Sequence, residues 1–232
     1  MRALSIALIL LATQVVCSGQ EIIHNDRPSS PKMSFNEHFN VTGPMFTKEI
    51  MDAATKHKAA VKAEWGVGFK VDKAIISWKP DPKDEAFTWQ RAGNRKYHAV
   101  YMFTSIEKAL TSTLKHEVAH VVLGEAIPLW AHEGIASSYD DARRKTMRRI
   151  LMEDGPTMRP LKIIMLKEVR SLDEYANCAT LVSVMAGLRG KKAFLKFAED
   201  CHQPEIGFET ALETHYNMSF ENLCDLYLGE ER

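Results

Sequence analysis

Neither sign of charge is in excess: Lys and Arg number 30, and so do Asp and Glu. No net field therefore argues for a nucleic acid or an anionic membrane as partner. Cysteine is scarce, with four in 232 residues, which excludes a disulfide-built scaffold and a cysteine-rich zinc module. Internal repeats and low-complexity tracts are absent, so neither a solenoid nor a disordered tract is the main architecture.

What is present is a chain with an ordinary soluble composition, 45% hydrophobic and 26% charged, long enough to bury a sizeable core. The first residues, "MRALSIALILLATQVVCSGQ", set one arginine before an apolar run and end in small residues, the layout of a signal peptide over residues 1–19. The run is too short to span a bilayer well, and export to a secreted or periplasmic location is expected. Cys17 raises a lipid anchor as a rival, disfavoured because bulky Val16 precedes it. In an oxidising compartment Cys178, Cys201 and Cys224 are expected to form one disulfide and leave one free thiol, in a pairing the sequence leaves open.

Residues 20–45 carry Pro28, Pro31 and Pro44 and read as a polar segment without regular structure. Apolar positions then recur at helical spacing from Thr47 to Trp65, with Gly66 as a stop. Residues 69–78 read as a strand and residues 85–103 as a hairpin turning at "AGNR". Its second arm alternates Tyr97, Ala99, Tyr101 and Phe103 with His98, Val100 and Met102, and the aromatic stripe is expected to be core. One helix follows over about 105–123 and a second from Pro128 to Asp154; helical segments fill 160–228. The expected class is α+β: an α/β lobe over 46–125 with a small mixed sheet, and a helical lobe over 126–232.

The junction carries the chemistry. In "LKHEVAH", His116 and His120 stand four apart on a helix, so both imidazoles share one face and can bind one ion. Glu117 lies one step round, placed to take a proton from a water without ligating; this is the mechanical content of the H-E-x-x-H motif. Leu114, Val118, Val121 and Val122 make the helix apolar, and buried histidines need polar partners or an ion. A catalytic zinc needs a third protein ligand. Glu125 follows Gly124 and reads as a solvated loop residue. Between His132 and Glu133, adjacent on the next helix, geometry alone does not decide.

"HEVAH" followed by "PLWAHEGIASSYD" resembles the gluzincin zinc metallopeptidases, in particular the small peptidase MA-like families whose second motif reads P-x-W-x-x-E-G-x-A. Trp130, Gly134 and Ala136 match that motif. The resemblance implies a zincin-like fold over 46–232 with one catalytic Zn2+ at the junction, Glu133 as third ligand, Glu117 as base and a peptide or protein as substrate. His132 lies too far from His120 for the H-E-x-x-H-x-x-G-x-x-H pattern of the metzincins, and its role stays open. Residues 173–201, opening at "DEYANC", are similar to the family's tail. There Tyr175 matches the tyrosine that steadies the oxyanion in aminopeptidase-N-like relatives, although Asn177-Cys178 replaces their Lys-Gly. No G-x-M-E-N-like segment precedes the helix, so aminopeptidase activity is not implied. The strand 96–103 resembles the gluzincin sheet edge along which an extended peptide pairs.

Three further features carry ordinary expectations. The basic run "DDARRKTMRR" reads as a solvated helix face, Asp140 as lying two turns beyond Glu133 on one helix, and His98 as a buried histidine bonded to backbone. Against an exported zinc peptidase stands a zinc-stabilised binding or scaffold protein that has lost turnover. Intact Glu117 argues against that alternative.

Overall fold

A computed structural model of the chain describes residues 31–67, 73–81, 85–89 and 97–229. The expected signal peptide with Cys17, the start of the 69–78 strand and the "AGNR" turn lie outside those residues. Five strands form one sheet: β1 (Lys32–Phe35), β2 (Phe39–Gly43), β3 (Lys73–Lys79), β4 (Glu85–Trp89) and β5 (Tyr97–Phe103), in the order β1-β2-β3-β5-β4. β2, β3 and β5 run parallel, while β1 and β4 lie antiparallel at the two margins. Two expectations are corrected by this sheet. The 20–45 segment is not without structure, because Phe39, Val41 and Gly43 alternate into the core and make β2 a sheet strand. Strand 96–103 is not an edge, because β5 is hydrogen-bonded to β3 on one side and β4 on the other; the margin is β4.

A strand's two faces differ by a one-residue shift, and β5 shows its consequence. His98, Val100 and Met102 are buried, whereas Tyr101 and Phe103 are only half-buried. Tyr101 and Phe103 thus lie on the outer face. α1 (Thr47–Trp65) packs against β1 and β2, and its buried Ile50, Ala54, Val61 and Trp65 recur at helical spacing. Gly66 ends α1 at φ 72°, a left-handed position where glycine carries no Cβ penalty.

After β5 the chain makes a short α2 (Ile106–Lys108), a π-helical turn over Ala109–Thr113, and α3 (Leu114–Leu123). The remaining helices are α4 (Leu129–Ser137), α5 (Asp141–Asp154), α6 (Pro160–Ile164), α7 (Leu172–Arg189), α8 (Lys191–Cys201), α9 (Gly207–Tyr216) and α10 (Phe220–Leu228). The expected single helix 128–154 breaks at 138–140. There the amides of Ser138, Tyr139 and Asp140 each bond three residues back, and Asp140 Oδ1 caps α5 through the Arg143 amide at 3.0 Å. Asp140 therefore starts a new helix instead of continuing α4.

One contiguous core joins the sheet, α1 and α3 to α4, α7 and α8. Trp130 of α4 anchors the helical side against Phe194 and Phe197 of α8. Ser171 and Glu174 close a capping box at the start of α7. Asn177 is fully buried and satisfied. Its Oδ1 accepts from the Thr157 and Met158 amides at 3.1 Å and from the Tyr227 hydroxyl at 2.8 Å, so it ties the 157–158 loop and α10 to α7. None of Cys178, Cys201 and Cys224 is in a disulfide, which corrects that expectation. They stand on α7, α8 and α10, and burial pushes the Cys178 and Cys201 thiols up to about 12.

Candidate metal centre

The π turn before α3 adds a residue to one turn and rotates the helix after it, a device common beside functional sites. Ser112 within it is buried and donates to Asp140 Oδ1, locking the turn to the start of α5. α3 then runs through the core with His116, Glu117 and His120 all buried. α4 begins at extended Pro128, whose carbonyl accepts from the amides of Ala131 and His132 at 3.0 Å. Gly134 decides how α4 sits. A Cβ built there would lie 2.6 Å from the Cys178 carbonyl oxygen and 2.5 Å from Val182 Cγ2, so only glycine lets α4 approach α7 this closely. That approach turns Glu133 toward α3.

Three electron-rich atoms consequently converge. His116 Nε2 and His120 Nε2 are 3.1 Å apart, and Glu133 Oε2 lies 3.3 Å from the first and 3.6 Å from the second. A tetrahedral ion with ligand bonds of ~2.0–2.1 Å requires ligand–ligand edges of about 3.3 Å. The triangle thus fits a tetrahedral metal ion with one corner left over, and these three residues form the group able to hold one among the described residues. Protein atoms alone leave the cluster in debt: Glu133 Oε2 and His116 Nδ1 are buried without a hydrogen-bond partner of normal geometry. Burial would raise the Glu133 carboxyl, but the two imidazoles outweigh it and hold it well below the usual carboxylate range.

His132 lies behind this triangle. Its Nδ1 is 3.2 Å from His120 Nδ1, the rings tilted at 5.4 Å. Only the tautomer in which His120 donates from Nδ1 leaves the lone pair of His120 Nε2 turned toward Glu133 and His116. His132 must then be a neutral acceptor. Burial first, and the neighbouring His120 second, push its pKa down to about 3.

Glu117 points past the triangle to the sheet, where its Oε2 accepts from Thr88 Oγ1 of β4 at 2.5 Å. Tyr175, in the first turn of α7, meets His116 edge-on at 6.1 Å, and burial and Glu133 raise its hydroxyl pKa. Arg143 of α5 lies over the Tyr175 ring at 4.4 Å. These groups line a cleft of about 590 Å³ whose rim includes Ala86, Glu125, Leu129 and His202. Glu125 is exposed at that rim, and His98 is buried with Nδ1 lacking a partner instead of bonded to backbone.

Sequence reasoning brings forward His116, Glu117, His120, Glu133 and Tyr175, and the structure gathers all five around one cleft. It misses Thr88, which lacks any motif, and Arg143, which the sequence groups with the basic run. Arg144, Lys145, Arg148 and Arg149 are indeed exposed, but Arg143 stands three residues from Asp140 and four from buried Met147, on the inward face.

No protein-family model matches the chain, and no match is found among curated proteins. Among solved structures it is similar to the crystal structure of Legionella pneumophila aminopeptidase A in complex with aspartic acid, with a TM-score of 0.50 and 14% identity over 86% of this chain. The chain spans about 28% of the length of that structure. The likeness is one of fold, a mixed α and β arrangement.

Proposed function

We propose that this chain is a zinc-dependent peptidase of gluzincin type, exported by the leader over residues 1–19, that hydrolyses peptide bonds in its cleft. The observation that carries the reading is the triangle of His116 Nε2, His120 Nε2 and Glu133 Oε2, with edges of 3.1–3.6 Å, beside a carboxylate that a strand hydroxyl already orients. His116, His120 and Glu133 would hold the zinc, which would supply Lewis acidity and lower the pKa of a water to about 7.

The protein's own groups divide the rest of the work. Glu117 accepts the proton of the attacking water and returns it to the leaving amine, the general-base and general-acid task. Thr88 donates to Glu117 Oε2 and turns the carboxylate toward the cleft. Tyr175 is neutral at physiological pH, so its hydroxyl is a donor for the carbonyl oxygen as that oxygen gains negative charge. β4 is the sheet margin, paired on one side only among the described residues, and Ala86 and Thr88 face the cleft; an extended peptide adds there by main-chain hydrogen bonds.

The test is to express the chain, measure its metal by elemental analysis, and follow cleavage of a mixed peptide library before and after chelation. The reading predicts one zinc per chain and cleavage that stops on chelation and returns with added zinc. Zinc at one equivalent with no cleavage of any peptide would leave a zinc-stabilised binding protein, a role in which Glu117 and Thr88 have no task.

A further inference from the structure

We infer that Arg143 is a substrate-reading residue, and that the cleft takes peptides carrying a carboxylate within one residue of the bond to be cut. The inference rests on the peptidase reading and adds its substrate class. Arg143 is held from two sides. Its Nε lies 3.4 Å from Asp140 Oδ2, and its guanidinium stacks 4.4 Å over the Tyr175 ring. Asp140 is in turn occupied by Ser112 and by the Arg143 amide, so the one acid paired with this guanidinium serves three donors. The Arg143 side chain is nonetheless 36% exposed and lines the cleft, so it presents there a planar guanidinium fork whose geometry matches a carboxylate.

The surroundings say where that carboxylate would sit. The main cleft opens into a second chamber of about 290 Å³, and the two share Ala86, His116, Glu117 and Arg143. Lys108 and Arg143 line the second chamber beside Glu117 and Asp140, whereas Glu125 lines only the first, so the lysine and the arginine of the two chambers both stand on the Glu117 side. A peptide whose carbonyl lies between His116 and Glu117 sends its next residue past Arg143. Two sources offer the same chemistry there: the α-carboxylate of a chain end, and an Asp or Glu side chain.

The experiment uses the zinc-loaded chain and four peptides of otherwise identical sequence. One pair differs in a free or amidated C-terminus one residue from the cleavage site, the other in Asp or Asn beside it. A preference in kcat/KM of roughly 10- to 100-fold for one or both carboxylates is expected, the size of a charge-assisted hydrogen bond. Arg143→Gln should bring that ratio to near one, and Arg143→Lys should restore part of it. Binding of the same peptides to zinc-loaded Glu117→Gln, read by fluorescence anisotropy, should show the same preference without turnover. Equal treatment of acids and amides by the wild type, or a preference that survives Arg143→Gln, overturns the inference. Carboxylate-selective binding without hydrolysis by the wild type would instead keep the subsite and fail the peptidase reading.

Discussion

Gly134→Ala is the smallest change that should disturb the whole centre. Its added Cβ would lie 2.5 Å from Val182 Cγ2, 2.6 Å from the Cys178 carbonyl oxygen and 2.9 Å from the Cys178 carbonyl carbon. Val182 can turn, but a helix carbonyl cannot, so α4 must withdraw from α7 by roughly 0.5–1 Å to reach ordinary contact distance. Overpacking of this kind costs about 3 kcal/mol when backbone is in the way. Alanine returns about 1 kcal/mol through its better helix propensity. A net loss of about 2 kcal/mol is therefore expected in urea unfolding of the metal-free protein. Because Glu133 is the preceding residue, the same shift pulls Oε2 out of a triangle whose edges now bracket the tetrahedral value. Zinc affinity, measured by competition with a chromophoric chelator, should fall about 10- to 100-fold, the usual effect of disturbing a ligand's support. A Gly134→Ala variant as stable as the wild type, with equal zinc affinity, would refute this account of why the helices meet as they do.

Other perturbations test separate links. Thr88→Val removes the hydroxyl that orients Glu117, and should lower kcat about tenfold with zinc content unchanged, since Thr88 does not touch the triangle. Asn177→Ala strips three acceptor contacts from a fully buried hub, and should cost about 3 kcal/mol in urea unfolding. His132 gives the metal-free protein a pH dependence of stability. Its folded pKa of about 3 lies below the ordinary 6.5, so below pH 6.5 the unfolded chain binds a proton that the folded one refuses, and stability falls as the pH falls. Between pH 7 and pH 5 the chelated wild type should lose about 2 kcal/mol more than His132→Leu, read from urea midpoints at each pH.

The legible parts of this chain are those with a local physical signature. The histidine pair announces itself by helical spacing, whereas Glu133 and Tyr175 come forward only through the family resemblance, and the fold brings all four to one cleft. The helical content of residues 160–228 is legible from its periodicity, while the exact ends of α7 are set by the Ser171 capping box and by Gly190. The features that escape a sequence reading depend on tertiary partners. β2 alternates perfectly but lies among prolines, and only pairing with β1 and β3 makes it a strand. Which face of β5 is inward depends on where α3 packs, and aromatic content points to the wrong one. The break at Asp140 needs Ser112, 28 positions away, and Arg143 turns inward because that break resets the helix phase. The role of His132 is not readable from spacing, since it depends on how two helices place two Nδ1 atoms.

The central claim is that Glu117 works as a base beside a zinc held by His116, His120 and Glu133. Its most direct measurement is cleavage of one peptide library by the zinc-loaded wild type and by zinc-loaded Glu117→Gln at equal concentration. The account predicts that both proteins carry one zinc and that the variant cleaves at least about 100-fold more slowly. Cleavage by Glu117→Gln at the wild-type rate, with zinc in place, would contradict it.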